Sequence, residues 1–596
     1  MMTNQSITQL LIRLWHHISL RRRGQFGLLL VLMLLSSFAE MLSIGAMLPF
    51  LGVLTAPERV FNFATAQPII RALNLNEPAQ LLLPLTIAFC FAALIAGLMR
   101  ILLLWSTNRL SFAVGADLSI GIYRRTLYQP YALHCTRNSS EVISGISSKS
   151  NVVIYNIIVP TLTLFSSSII LIAILVLLLS INPLIAISAF GGFGIIYVFI
   201  IKMTRKQQIS NSRSIASESV QVTKSLQEGL GGIRDILIDG NQEAYCQIYS
   251  NADLPLRRAQ GNSLFIGSCP RYGVEALGMI LIATLAYWLS NNEDGIASVI
   301  PVIGALAVGA QRLLPLLQQA YSSWSSITSG QASLQDALTL LDQPLPDKVN
   351  LLAEQSFKFK RNITLKQLGF KYSSVSSYVI KDLNLTITKG TRTGFIGITG
   401  SGKSTLLDII MGLLQPTEGQ LLIDGQVILS GNCCAWQAHI AHVPQAIFLA
   451  DSSIEENIAF GVPKDQIDHL RVKKAARQAQ IAESIQSWPN QYQTFVGERG
   501  VRLSGGQRQR IGIARALYKQ ADVIIFDEAT SALDNETEQA VMQSIEGLSQ
   551  DLTVLIIAHR LSTLKNCTQI VELGEGGIKR IGSYSDIINS NSTQKF

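Results

Sequence analysis

The sequence predicts two unlike halves, an all-α half of six membrane-spanning helices followed by an α/β half, and three observations predict it. No charged residue occurs between Val152 and Ile201, about twice the roughly 20 apolar residues that one span needs. Residues 1–340 carry 22 Lys and Arg with 15 Asp and Glu, whereas residues 341–596 carry 26 with 25. From about residue 361 onward, short apolar β-rich runs alternate with helical ones. A chain of 596 residues with 15% charged residues and mean hydropathy +0.32 is too long for one ordinary domain and too apolar for a soluble one. Those values exclude a disordered, collagen-like or disulfide-framework protein. The seven cysteines are odd in number and show no C-x-x-C spacing, which fits a reducing compartment for the second half.

The organisation expected is a membrane domain over 1–340, a linker over 341–360 and a soluble domain over 361–596. Spans are expected at about 26–53, 79–105, 152–180, 184–202, 262–290 and 295–321, with Asn182-Pro183 as the turn between the third and fourth. An even number of spans places both ends on one side. Lys and Arg are retained in the cytoplasm, and Arg13 with Arg21, Arg22 and Arg23 precede the first span. Arg109, Arg124, Arg125, Arg137 and Lys149 fill the second-to-third connection, and eight basic residues from Lys202 to Arg258 fill the fourth-to-fifth. Opposite connections such as Asn291-Asn292-Glu293-Asp294 are poor in positive charge. Both termini are therefore expected in the cytoplasm, and the first apolar stretch is too long for a signal peptide. The two basic connections read as helical continuations of the spans, reaching well beyond the bilayer.

Ionisable residues inside a span cost about 3 kcal/mol or more unless paired or wetted, so Glu40, Arg100, Arg271, Glu275 and Arg312 stand out. At about 1.5 Å of rise per residue, the three arginines fall in the cytoplasmic half of the bilayer. Arg271 and Glu275, four apart, are placed to neutralise each other on one helix face. Arg100 and Arg312 have no such local partner. A guanidinium matches a phosphate fork, so the three arginines are the candidate substrate residues, for an anionic headgroup loaded from the cytoplasmic leaflet.

In the second half the run TRTGFIGITGSGKSTLLDII sets Gly397-Ile398-Thr399-Gly400-Ser401-Gly402-Lys403-Ser404 between a strand and a helix, the context that a phosphate loop requires. Bare glycines let backbone N–H groups close around phosphates, Lys403 adds a point charge, and Ser404 offers a hydroxyl to Mg²⁺, with Thr405 behind it. Asp522-Val523-Ile524-Ile525-Phe526-Asp527-Glu528 is a buried strand ending in two acids. Asp527 is suited to Mg²⁺ and Glu528 to polarising the attacking water. Leu503-Ser504-Gly505-Gly506-Gln507 opens a helix about 100 residues downstream of the first loop and makes a second anion site at a helix start.

With these motifs the chain resembles the ATP-binding cassette exporters of half-transporter type, six spans fused ahead of one nucleotide-binding domain, over nearly its whole length. The resemblance implies that Tyr372 in GFKYSS stacks adenine, that Gln445 in HVPQ senses the γ-phosphate and Mg²⁺, and that Ser531-Ala532-Leu533-Asp534 is the D-loop. It implies His559 in IIAHR as the switch histidine beside the catalytic Glu528. It also implies a head-to-tail pair of cassettes, with ATP between the loop of one and Ser504, Gly505, Gly506 and Gln507 of the other. Because one chain carries a complete set, a homodimer is the economical expectation.

Cys269-Pro270-Arg271-Tyr272-Gly273-Val274-Glu275 and Gln311-Arg312-Leu313-Leu314-Pro315 look like the P-R-Y-x-x-E and R-L-L-P runs of the bacterial lipid-linked oligosaccharide flippases, with Phe38-Ala39-Glu40 and an exterior segment at about 54–78, short helix 68–73 included, in keeping. The implied activity is ATP-driven movement of a lipid-linked oligosaccharide or glycolipid from the inner to the outer leaflet of a bacterial plasma membrane. The alternatives are a hydrophobic drug, phospholipid or lipid A type exporter and, remotely, a non-transporting membrane-anchored ATPase. The charge-balanced second half shows no basic nucleic-acid surface.

Overall fold

The structure is a computed structural model that describes residues 5–345 and 358–587, save 56–57, 59–60, 63–66, 68–76, 182, 291–295, 374–375, 529–532, 547–550 and 559–560. The expected helix at 68–73, the turn residue Asn182, Ser531, Ala532 and His559 lie outside the described residues, as does the side chain of Arg312. The chain divides into two compact units, Met1–Gln129 with Arg137–Leu345, and Pro130–Thr136 with Pro346–Phe596.

The first unit is helical. Helix α1 (Ile7–His17) starts at a capping box, in which Ser6 and Gln9 exchange side-chain and backbone bonds. Its Leu10 and Leu14 are buried with Leu334 and Leu338, while Arg13 and His17 both pair with Asp342. Burial of Asp342 works against ionisation, but those two partners outweigh it and hold the carboxyl below its usual range. Long helices follow: α2 (Leu20–Thr55), α3 (Leu82–Leu127), then, beyond the short α4 (Tyr131–Thr136), α5 (Val159–Ile181), α6 (Pro183–Gly231), α7 (Gln242–Ser268), α8 (Pro270–Ser290) and α9 (Ile296–Leu341). Among the described residues three stretches are long and apolar enough to cross a bilayer: Leu20–Ala46, Pro78–Leu127 and Ser139–Val176. The basic connections are helical for most of their length, as the sequence predicts. Two stretches before α5, Gly145–Lys149 and Val153–Ile158, take π-helical hydrogen bonding. A polar seam fastens these helices: buried Lys149 meets Asp336 at 2.5 Å, and Ser212 accepts the amide of Ala332 at 3.0 Å. Removing one partner of such a buried pair would strand a charge.

The second unit holds two sheets. An antiparallel sheet runs in the order β2 (Ile380–Thr388), β1 (Asn362–Phe370), β4 (Glu418–Ile423), β5 (Gln426–Val427). A six-stranded sheet runs β10 (Gly577–Gly582), β9 (Gln569–Gly574), β3 (Arg392–Gly397), β8 (Thr553–Ile557), β7 (Val523–Asp527), β6 (Ile440–Val443), parallel except for β10. Both faces of that sheet are covered, so its strands read as unbroken apolar runs. Along β7, Val523 and Ile525 enter one core with α10 (Lys403–Ile410) and the antiparallel sheet, while Ile524 and Phe526 enter a second with α11 (Gly505–Lys519). Alternation along one strand thereby joins the two helices that open at anion-binding turns.

The register of β1 against β4 shifts between Lys366 and Gly369, and the backbone closes tightly on Gly419 opposite. Gly419 has φ +73°, and a Cβ there would lie 2.2 Å from the carbonyl oxygen of Gln367. We predict that Gly419→Ala destabilises the nucleotide-binding unit by about 2 kcal/mol or more, read as a lower first transition in thermal unfolding of the full chain. An unchanged transition would refute the close approach.

Candidate functional site

The phosphate loop is built by backbone that side chains would obstruct. Gly397, Gly400 and Gly402 have φ of +152°, +85° and +91°, conformations in which glycine alone is unstrained. At Gly397 a Cβ would lie 2.4 Å from the carbonyl oxygen of Leu573. Ile398, Thr399 and Gly400 are exposed at the mouth, and Ser401, Gly402, Lys403 and Thr405 are buried. Lys403 folds back so that Nζ donates to the carbonyl oxygens of Gly397 (2.8 Å) and Ile398 (3.0 Å). The Ser401 hydroxyl is buried without a hydrogen-bond partner. A buried ammonium held by two carbonyls and an orphaned hydroxyl beside open backbone amides form a set that a polyphosphate completes.

Tyr372 stands half exposed, its ring edge-on to Phe370 at 5.0 Å and its hydroxyl 3.0 Å from Thr405 Oγ1. The ring face stays open for an aromatic base while the bond to α10 fixes its direction. At the end of β7, Glu528 takes φ +51°, a strained value for a non-glycine residue, and its amide donates to the Ile557 carbonyl at 3.2 Å. Gln445 Nε2 donates to Glu528 Oε2 at 2.7 Å, so the structure brings together two residues 83 positions apart in the sequence. Ser404 is exposed at the start of α10, suited to a hard cation. Ser504 caps α11 in a capping box with Gln507, at 3.3 and 2.9 Å, leaving Gly505 and Gly506 as the first helical turn. Asp534 is exposed and caps the next helix through Thr537, whose amide and hydroxyl each donate at 2.8 Å; these bonds hold its carboxyl below the usual range.

One acid escaped the sequence reading. Asp408 lies on α10, five residues after Lys403, and its carboxyl is pushed up to about 6, first by burial and then by the charge of Asp527. Tyr131 of α4, which belongs to the same compact unit, is pushed up to about 12 by its hydrogen bond to Cys135, by burial and by Asp408 and Tyr372. An acid at that point of a helix following a phosphate loop carries no signal of its own in the sequence.

In the membrane unit Arg100, which has no partner on its own helix face, is paired across helices. Its Nη2 lies 2.5 Å from Oε1 of buried Glu40 on α2, a partner 60 positions away that only helix packing supplies. Arg271 Nε donates to Glu275 Oε1 at 2.8 Å, as the four-residue spacing predicts. Arg100 lines a cavity of about 550 Å³ with Thr107, Asn108, Ser166 and Ile170. Arg271 and Glu275 line a second, of about 380 Å³, with Gln318, Ser322 and Ser326. Val159, Thr163, Pro315 and Gln319 line both.

The ABC transporter family model matches residues 380–531. An ATP-dependent lipid A-core flippase of Pseudoalteromonas translucida is 31% identical over 403 residues, 66% of this chain and 68% of that one. A protein of the same name from Cupriavidus metallidurans is 27% identical over 508 residues, 84% of each chain. A Bacillus subtilis protein named for multidrug export is 27% identical, covering 82% of this chain and 83% of its own. The fold matches the solved structure of a bacterial Atm1-family ABC exporter with ATP bound, with TM-score 0.79 and 23% identity, over 96% of this chain and 98% of that one.

Two predictions follow from this geometry. Because the folded pKa of Asp408 lies above the ordinary carboxylate value, its protonated form stabilises the fold fully below about pH 4, and that contribution is lost as pH rises through about 6. Asp408→Asn should therefore raise the stability of the nucleotide-binding unit at pH 8 by about 1–2 kcal/mol, discounted for partial exposure. Melting curves of variant and parent should converge near pH 4; equal curves at pH 8 would contradict the burial. On the expectation that Glu528 polarises the attacking water, Glu528→Gln, which keeps an amide-compatible contact with Gln445 but removes the carboxylate, should lower ATP hydrolysis by about 10²–10⁴ with ATP binding retained, measured by phosphate release and by nucleotide filter binding.

Proposed function

The chain belongs to the ATP-binding cassette transporter family as an exporter half-transporter whose ATPase drives transport, and from that premise we propose that two copies of it move a lipid with an anionic, glycan-bearing headgroup from the inner to the outer leaflet of a bacterial plasma membrane. The observation that carries the reading is the wall shared by the Arg100 and Arg271 cavities. A single headgroup there meets two guanidinium groups, each engaged by one glutamate oxygen, with further N–H donors left to a phosphate. Around them stand Asn108, Thr163, Gln318, Gln319, Ser322 and Ser326, which suit sugar hydroxyls, while Leu103, Leu104 and Leu162 suit a lipid chain. The names of the lipid A-core flippases support a lipid substrate. They do not distinguish a lipid-linked oligosaccharide from another glycolipid. The multidrug name of the Bacillus subtilis relative supports the second reading, a hydrophobic drug or phospholipid exporter, in which both arginines serve packing alone.

In the proposed cycle Tyr372 orients the base, the amides from Gly397 to Ser404 and the Lys403 ammonium hold the phosphates, and Ser404, Gln445 and Asp527 face the cation. Mg²⁺ supplies charge neutralisation on the phosphate oxygens. Glu528 accepts the proton of the attacking water, with His559 as its switch partner, and Ser504 to Gln507 with Asp534 of the second copy close over the nucleotide. Lys403 must release two carbonyls to do this, so loading the site also frees the loop backbone.

The test is ATP hydrolysis by the protein in liposomes, with and without a polyprenyl-pyrophosphate glycolipid, beside Glu528→Gln. Stimulation by that lipid and not by a neutral amphiphile is expected. Arg271→Ala, at an exposed pair, should abolish the stimulation while basal hydrolysis persists. Because Arg100 engages buried Glu40, the informative variant at that pair changes both residues, Glu40→Gln with Arg100→Gln. Equal stimulation by neutral amphiphiles, untouched by either variant, would overturn the reading in favour of general export.

A further inference from the structure

Helices α6 and α9 run parallel, and the contacts between them recur at a nearly constant offset. Tyr197 bonds Gln318 at 3.1 Å, Thr204 meets Tyr321 at 3.4 Å, Gln208 bonds Ser325, and Ser212 accepts the amide of Ala332 at 3.0 Å. Steps of seven, four and four residues along α6 mark one face of a packed helix pair, where apolar side chains would ordinarily meet. Here that face is polar. Apolar clusters close it at both ends, Tyr197, Val274 and Tyr321 at one and Ile215, Leu256 and Ala259 at the other. Between them Gln208 is fully buried, and Asn211, Ser212 and Ser325 are 4% exposed or less.

Three buried polar atoms in this stretch have no hydrogen-bond partner among the described residues: Gln208 Oε1, Asn211 Nδ2 and, on α7, Ser263 Oγ. Leaving such atoms unsatisfied is costly. The other ends of the two amides are engaged, Gln208 Nε2 with Ser325 and, at 3.4 Å, with the Ser263 carbonyl oxygen, and Asn211 Oδ1 with Gln207 at 3.1 Å. The carbonyl contact sets the Gln208 amide level with Ser263, and Asn211 follows three residues on, about 4.5 Å of rise. A water bonded to two partners at about 2.8 Å each spans up to about 5.6 Å between them. Small residues leave room for it: Ser263 and Gly267 lie on α7 opposite Ser325, whose hydroxyl would be 3.4 Å from a Cβ at Gly267. We propose that an ordered water is bound here, donating to Gln208 Oε1, accepting from Asn211 Nδ2 and taking Ser263 Oγ as its third partner, so that it ties α6 to α7 beside the contact with α9. Three partners are typical of a buried water. A cation would meet the Asn211 N–H, a donor that cannot ligate it. None of the three residues lines either arginine cavity, so the site stands apart from the substrate reading.

The test uses the full chain in nanodiscs, with neither nucleotide nor transport substrate. Cryo-electron microscopy at a resolution that shows ordered water should place density within hydrogen-bond distance of Gln208 Oε1 and Ser263 Oγ. Ser263→Ala removes a hydroxyl that has no hydrogen-bond partner in the protein, and the sign of its effect separates a wet seam from a dry one. Around a bound water it should lower the unfolding midpoint of the helical unit by about 2 °C, the share of roughly one hydrogen bond. In a dry seam it deletes an unsatisfied group and leaves the midpoint equal or higher. A Ser263→Ala midpoint at or above the parent, or a map with ordered water at other buried sites and none here, would overturn the proposal.

Discussion

An ionised group in a hydrocarbon slab must bring its counter-ion with it, and the helical unit is arranged around that constraint. Arg100 lies against buried Glu40 and Arg271 against Glu275. At an effective dielectric near 20 a pair at 4 Å gains about 4 kcal/mol, which offsets the cost of burying each charge only when the geometry is held. The helices supply that hold. Glu40 reaches Arg100 because α2 and α3 pack antiparallel, and the Arg22–Asp117 pair farther along fixes the same register. The pairs therefore constrain helix sliding as well as neutralising charge.

The nucleotide-binding unit answers the opposite demand, since its functional groups are backbone amides that must stay exposed to an anion. Side chains are kept out of the loop by positive φ at Gly400 and Gly402 and by the Leu573 carbonyl behind Gly397. The same sheet carries the acids. β7 is anchored by apolar residues on both faces, so Asp527 and Glu528 emerge where the apolar run stops. Gln445 follows the neighbouring strand β6, and adjacency of β6 and β7 alone brings it to Glu528.

How much of this was legible in the sequence depends on how local each cause is. The phosphate loop, the capped start of α11 and the Arg271–Glu275 pair follow from spacings of a few residues, and the structure holds them in the contexts those spacings require. Glu40 and Arg100 are each conspicuous as charges in apolar runs, yet their pairing depends on the packing of two helices, which no periodicity encodes. Asp408 is less visible still. It looks like an ordinary polar position in a helix, and its raised pKa comes from burial and from Asp527 at the end of a strand more than 100 residues away. The grouping of Pro130–Thr136 with the second unit is likewise hidden from a reading that divides the chain in order.

The charge balance of the cavities bears on how selection operates under the proposed function. Bare arginines would attract any anion from a distance and hold it through every stage of the cycle. Arginines already paired with glutamates present little net charge, so recognition happens at contact, where a phosphate must share a guanidinium that a carboxylate already engages. Each glutamate then competes with the headgroup in both directions: it raises the threshold for entry and lowers the cost of release. A transporter has to let go of what it binds, and a resident carboxylate beside each arginine gives the site a way to do so without moving the arginines themselves. Glu40, buried and held in register by α3, is suited to that role because it stays in place when the cavity fills. Glu275, on the same helix face as Arg271 and more exposed, is free to swing aside. The two cavities therefore differ in stiffness at their arginines, and a headgroup with two unlike anionic or polar ends is oriented by that difference.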